Sequence, residues 1–409
     1  MLLEGLKVVE LATWIAGPGC AMIMADWGAE VIKVESPVGD PTRAFLLDPE
    51  DITGSPIFAM ENRGKRGVVL DTSSQAGREA LVRLLGDADV FVTNVRPGAL
   101  RRARLDYDSL KDALPRLIYA TVSGYGLEGE GAHIPGFDMT AFWNRSGAAY
   151  ATNPPGLEPL PCRPAFGDHV TAMATLGGVL AAVHERTRTG RGRLVEASLI
   201  RVGAYALAWD MAVRLRYGEA VTAQPREDRP SALAGYFRTA DDRWFFIVVR
   251  SPACFPAILR VIGRPELAAD PRFTLPIADL EVVRELRAIV EAGYGRMTLA
   301  EVGAGLTRED VAWAPLATLD EVVNDPLAHA AGCFTQTPDG RGGAFAAPAT
   351  PIRFGGVEPA PPRPAPGLGQ HTRQILAEAG YGPEAVEAML AAGAAVQSEP
   401  GARASSPQL

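Results

Sequence analysis

Asp168 stands at the start of a helical pattern in RPAFGDHVTAMATLGGVLAAVHERTRTGRGRLVEASL (163–199). Val170, Met173, Leu176, Leu180 and Val183 give that pattern an apolar stripe. Backbone N–H groups and the helix dipole stabilise a carboxylate at such a position. Gly167 beside it has no side chain and would let a ligand come close. Two readings fit: an N-cap aspartate that only holds the helix, and a carboxylate nucleophile. No serine or cysteine competes for the second role, because none sits in a G-x-S-x-G elbow. His169 follows directly, but consecutive helical residues point about 100° apart. It is read as a helix-surface or interface residue, not as a partner of Asp168.

A second group of residues points to a ligand. LKVVELAT (6–13) followed by AGPGCAMIMADWGAEVIKVE (16–35) looks like the opening of a nucleotide-binding βαβ unit. The dinucleotide fingerprint G-x-G-x-x-G needs a third glycine, and the order here is Gly17-Pro18-Gly19-Cys20-Ala21-Met22. A tight strand-to-helix turn that binds nothing fits the pair equally well. Lys65 and Arg66 precede one strand; Asn94, Arg96, Arg101, Arg102 and Arg104 follow the next. Guanidinium groups near the carboxyl ends of parallel strands suit a ligand with several phosphates, though a solvated basic face has the same composition.

The elements that must position these residues alternate. Strand-like runs lie at 6–13, 30–35, 67–71, 89–94 and 117–126, with a helical pattern such as 75–88 between them and a further βα pair from 194. Short, doubly apolar strands separated by helices imply an α/β fold with a parallel sheet buried on both faces. Beyond 218 the texture changes to a loop, a hairpin at 235–249 around the turn ADD, and a strand near 309–318. The expected organisation is a large domain over 1–218, a smaller α+β domain over 225–330, and a return to the large domain over 340–396. Within that return, 359–369 reads as a proline-rich strap and 371–380 and 383–396 as helices; 397–409 is expected to be disordered.

The totals narrow the function. A length of 409 residues suggests two domains, and 47% hydrophobic with 22% charged residues are globular values. A net charge of −8 argues against nucleic acid as partner. Glu4, Lys7 and Glu10 interrupt the apolar N-terminal stretch, so neither a membrane span nor a signal peptide is expected, and a cytoplasmic location is. Cys20, Cys162, Cys254 and Cys333 form no C-x-x-C pair and the histidines no H-E-x-x-H, so no metal is expected.

Taken in order, several motifs resemble the class III CoA-transferases, the group of formyl-CoA, carnitine and bile-acid CoA-transferases, with α-methylacyl-CoA racemase as a relative. They are GLKVVELATWIAGPGCAMIMADWGAEVIKVESPVGDPTR, NRGKRGVVLD, DVFVTNVRPGAL, RLIYATVSGYG, PGFDMTAFWNRSG, GDHVTAMATLGGVLAAVHERTRTGRGRLVEASL and LGQHTRQIL, running from residue 5 to about 380. The resemblance implies a Rossmann-like large domain built from both chain ends and a homodimer of interlocked rings. It implies Asp168 as a nucleophile that passes through an aspartyl–acyl anhydride and an aspartyl-CoA thioester. Acyl-CoA and a small carboxylic acid would be the substrates, with no permanently bound cofactor. Carried over by motif, Ile15 and Ala16 line the CoA path, with Lys65, Leu70, Asn94, Arg102 and Arg104 near the nucleotide. Val95, Phe137 and Asp138 join the CoA-binding set.

Three departures stand out. Ser36 replaces an arginine common in relatives, and the region near 227–235 lacks the glycine run that covers some family sites. Phe137 stands where the racemases carry a histidine, with His133 four residues earlier in a loop. A racemase-like isomerase and a non-catalytic CoA-binding protein therefore remain the competing classes.

Overall fold

The computed structural model describes residues 1–45, 54–218, 223–274, 277, 279–357 and 361–398. From residue 399 on, the expected disordered tail lies outside these residues, as do positions 359 and 360 of the proline-rich strap. The chain forms two compact units: Met1–Thr152, Pro159–Ala220 and Gly332–Leu409 in one, Asn153–Glu158 and Val221–Ala331 in the other.

The large unit is organised on β1 (Lys7–Leu11), β2 (Glu30–Glu35), β3 (Arg66–Leu70), β4 (Val90–Thr93), β5 (Ile118–Ser123) and β6 (Leu194–Ser198). These six strands pair in parallel in the order β3-β2-β1-β4-β5-β6. Alternate residues feed opposite faces, as the two-residue strand period requires. Val9, Val34, Val68 and Phe91 enter one buried cluster; Val8, Val31, Val90, Val92 and Ile118 enter another. Helix Gln75–Gly86 covers the first face with Ala80, Leu81, Leu84 and Leu85, started by Ser74, whose Oγ accepts from Gly77 N–H.

Helices Ala16–Asp26 and Phe166–Thr189 cover the second face. The latter is long and apolar enough to cross a membrane, which the sequence reading did not anticipate. Its buried side is made of Gly167, Thr171, Ala172, Thr175, Leu176, Val179 and Ala182, and those small residues let it lie against the N-terminal helix as a core element.

The chain's end returns to the sheet. The expected helix over 383–396 stops at Ala391, because Gly393 turns at φ 70° and sends the chain into β12 (Ala395–Val396). That strand pairs antiparallel with β3, Ala395 opposite Leu70. Thr372 ties the return together: its Oγ1 accepts from Val69 N–H and donates to the Val396 carbonyl.

In the second unit β7 (Gly235–Arg238) and β8 (Trp244–Val248) form the antiparallel hairpin, and β9 (Ala312–Pro315) pairs with β8. Phe237, Phe245 and Tyr294 meet at its core. A further hairpin of the large unit, β10 (Phe334–Pro338) and β11 (Ala344–Pro348), was not anticipated. Its strands carry no steady apolar alternation.

Candidate active site

The sheet order reverses direction at the β1–β4 boundary, where the connections leave to opposite sides; open α/β sheets place ligands in the crevice there. A cavity of about 280 Å³ opens at the carboxyl ends of β1, β4 and β5, with Thr13, Trp14, Asn94, Val95, Phe137 and Asp168 in its wall. Loop geometry closes it. Gly124, after β5, and Gly136 pass so closely that a Cβ on Gly124 would lie 2.7 Å from the Gly136 Cα. That contact sets Phe137 and Asp138 beside helix Phe166–Thr189, which carries Asp168.

Asp168 is the third residue of helix Phe166–Thr189, not its cap. The cap position is Ala165, at φ 68° and without a side-chain hydrogen bond. Among the described residues the Asp168 carboxylate accepts no hydrogen bond, so its oxygens are free toward the cavity it lines. The helix start favours the ionised form. Burial, the Asp138 carboxylate and Glu61 oppose it, His169 helps it, and the balance pushes the Asp168 carboxyl up to about 7.

Asp138 begins a π-helix, Asp138–Arg145, a form frequent at functional sites. It is 6% exposed; Oδ1 accepts from Met139 N–H and Oδ2 has no partner. The π-helix is wedged into place through Phe142, because a Cβ on Gly167 would lie 2.4 Å from the Phe142 Cγ. Gly167 therefore makes room for a ring of this chain, and not for a ligand as its position beside Asp168 suggested. Gly167→Ala should force ring and helix apart, destabilising the fold by about 3 kcal/mol and lowering transfer activity. Urea unfolding and initial rates measure both, and Phe142→Leu in the same chain should recover part of each.

His169 turns away from Asp168 and meets Glu61: Nε2 lies 2.8 Å from Oε1 of that fully buried carboxylate. The bond holds the imidazole above its usual range. Helix Pro56–Asn62 delivers Glu61, and the glycines of the opening motif make room for it. A Cβ on Gly19 would stand 2.9 Å from Glu61 Oε2, and one on Gly17 would stand 2.7 Å from the Ala12 Cβ. The glycine pair serves close packing.

The carried-over contact residues divide. Ala16, Asn94, Val95 and Phe137 line the cavity with Asp168. Ile15 does not; it is 7% exposed, and Trp14 takes the wall in its place. Lys65 is withdrawn: Nζ donates to the Pro18 carbonyl at 2.9 Å and Asn62 Oδ1 at 2.8 Å, and pairs with Glu10 Oε2 at 2.6 Å. Burial pushes its ammonium down to about 8. The Leu70 side chain is withdrawn too, wholly buried in the core. Arg102 and Arg104 are exposed at the end of helix Pro97–Ala103, where Arg104 caps it at φ 54°. Asn94 lines the cavity but its amide is used within the chain: Oδ1 accepts from Thr13 N–H at 3.1 Å and Nδ2 donates to the Thr13 carbonyl at 2.6 Å. His133 is absent from the cavity wall.

Trp14 and Glu61 were missed. A tryptophan between strand and helix carries no pattern signal, and Glu61 gains meaning only when His169, remote in sequence, folds onto it.

A mostly parallel α/β sheet with a cavity at the strand-order reversal, walled by a carboxylate that is unpaired among the described residues, defines an α/β protein with a candidate ligand site. Comparison with known proteins fixes the family. Residues 3–372 match CoA-transferase family III, and the chain belongs to that family. It is similar to (R)-2-hydroxy-4-methylpentanoate CoA-transferase of Clostridioides difficile, 34% identical over 94% of this chain and 97% of that one. It is also similar to cinnamoyl-CoA:phenyllactate CoA-transferase of Clostridium sporogenes, 30% identical over 94% and 95%. The crystal structure of a CaiB/BaiF family protein from Brucella suis superposes with a TM-score of 0.81 at 32% identity, covering 92% of this chain and 99% of that one. The protein is a class III acyl-CoA:carboxylate CoA-transferase.

Proposed function

We propose that Asp168 carries CoA transfer as a covalent nucleophile. Its carboxylate oxygen attacks the donor thioester carbonyl, and the C–S bond breaks to give an aspartyl–acyl anhydride and CoA thiolate. The thiolate attacks the aspartyl carbonyl, releasing the donor acid and leaving an aspartyl-CoA thioester. The acceptor carboxylate then attacks that thioester, and the returning thiolate takes the acceptor's acyl carbon, freeing Asp168. Each step exchanges one activated acyl bond for another, so no external energy source is required. The single observation that carries this reading is the Asp168 carboxylate, unpaired among the described residues and facing a cavity at a helix start.

CoA belongs, in this reading, along the cavity rim at Ala16, Asn94 and Val95, with Arg102 and Arg104 toward its phosphates. Phe137 supports transfer over racemisation. Its ring lines the cavity and carries no proton, while racemisation needs two acid–base groups. The interlocked homodimer is part of the same proposal; the exposure of Tyr205, Trp209, Leu215 and Tyr217 on helices Leu199–Ala206 and Ala208–Tyr217 and at their ends supports an occluding partner.

The nucleophile must be ionised, so kcat/KM should rise with pH through an apparent pKa near 7, the value to which burial and Asp138 push Asp168. Asp138→Asn removes the neighbouring negative charge and should move that limb to lower pH. A profile flat from pH 5 to 8 in both proteins would remove Asp168 from the rate equation.

A further inference from the structure

Trp14 is held in a backbone conformation that its side chain disfavours. Its φ is 64°, in the left-handed region where a bulky aromatic residue is a true outlier. Such strain persists only where surrounding contacts over-determine it, and here they do. Asn94 grips both backbone groups of Thr13, and Asp40 Oδ1 accepts from Trp14 N–H at 3.4 Å. Lys33 Nζ donates to the Ala12 carbonyl at 3.0 Å and to Asp40 Oδ2 at 2.9 Å.

The outcome of this bracing is the position of one indole ring. It stands edge-on between Phe45, at 5.9 Å between centroids, and Phe137, at 5.7 Å and 89°. Trp14 and Phe137 both line the cavity that Asp168 faces, and Phe137 is still 50% exposed, an open apolar surface. Ile134, Val122 and Leu199 extend the same apolar lining. Among the described residues the ionisable side chains in the wall are Asp168 and Arg96, and Arg96 is solvent-exposed beyond the end of β4.

We propose that Trp14 and Phe137 form the side-chain wall of the acyl subsite and select CoA esters whose acyl group carries a bulky apolar substituent, branched alkyl or aryl. Small or doubly charged groups of the formyl and oxalyl kind gain nothing there. An aryl or branched alkyl substituent removes the open face of Phe137 from water and meets ring edges in the T-shaped geometry that aromatic pairs prefer. A single methylene in such a pocket is worth roughly tenfold or more in discrimination. The proposal rests on the reading of this cavity as a CoA-ester site, but not on covalent chemistry at Asp168.

Non-reactive thioethers separate the two. Binding of S-(2-phenylethyl)-CoA, S-ethyl-CoA, S-carboxymethyl-CoA and free CoA to the full-length protein is measured by calorimetry. The expected order places the phenylethyl thioether at least about tenfold tighter than the ethyl one, with the carboxymethyl one weakest. Trp14→Gly keeps the loop, because glycine adopts φ 64° without penalty, and should bring that ratio close to one. Phe137→Ala, at an ordinary φ of −125°, should do the same, the ratio being taken within each protein so that any change in binding of CoA itself cancels. A wild-type ratio near one, a ratio unchanged in both variants, or tightest binding of the carboxymethyl thioether overturns the proposal while leaving the CoA site intact. Failure of free CoA to bind overturns the CoA reading itself.

Discussion

Asp168→Asn should give a folded protein that transfers CoA about 10⁴-fold more slowly or worse, the scale on which nucleophile deletions fall. The amide matches the carboxylate in size and cannot form the anhydride. The variant should also be no less stable than the parent at neutral pH, for a reason that lies in the sign of the Asp168 shift. Its carboxyl holds a proton up to about pH 7 in the folded chain, well above the usual carboxylate range that it returns to on unfolding. The folded state therefore binds that proton more tightly, and the stability this confers is present at low pH and lost as pH rises through about 7. At pH 8 the ionised group opposes folding, and an amide does not ionise. Thermal unfolding at pH 5 and pH 8 reads the difference: the gap between variant and parent should widen in the variant's favour at the higher pH. A variant much less stable at both would mark Asp168 as a helix-holding residue.

The second large effect lies beneath the cavity. Lys33 is fully buried, with Nζ 2.9 Å from Glu10 Oε1 and 2.9 Å from Asp40 Oδ2, and Glu10 also meets Lys65 at 2.6 Å. Burial alone would push the Lys33 ammonium down, yet Glu10 and Asp40 outweigh it and hold the group above its usual range. Lys33→Met leaves buried Glu10 with Lys65 and buried Asp40 with no lysine partner. Breaking a buried pair in this way costs about 3–5 kcal/mol. Urea unfolding should show that loss, and Lys33→Met with Asp40→Asn should regain part of it by removing the carboxylate left without a cation. Because Lys33 and Asp40 also hold the backbone at Ala12 and Trp14, the single variant should bind CoA esters more weakly even where it remains folded.

The parallel sheet was legible from sequence because burial on both faces writes a plain signal. VFVT and EVIKVE can hardly be anything but central strands, and helix 75–88 showed its face at Ala80, Leu81, Leu84 and Leu85. The placement of Asp168 at a helix start was legible because a glycine–aspartate pair opening an apolar helix is a local pattern. What sequence could not supply was the use of each residue in three dimensions. The glycines at 17 and 19 look like a phosphate loop, but their missing side chains accommodate Ala12 and Glu61. Lys65 looks like a phosphate ligand, but a basic residue before a buried strand can as readily be drawn inward to a carboxylate such as Glu10. Gly167 looks like ligand clearance and is filled by Phe142, from a π-helix whose extra residue per turn breaks the period that sequence reading relies on. The last strand was hidden by Gly393, which ends a good helical pattern with a turn.

The central claim is that the acyl group and then CoA are carried on Asp168. Incubation with an apolar acyl-CoA, quenching with hydroxylamine and peptide mass spectrometry test it directly, because hydroxylamine converts an anhydride or thioester to a stable hydroxamate and leaves a free carboxylate untouched. A hydroxamate on the peptide containing Asp168, formed only when acyl-CoA is present and absent in Asp168→Asn, is the predicted result. Full transfer activity with that peptide unmodified, or a hydroxamate found on Asp138 or Glu61 instead, would contradict the account.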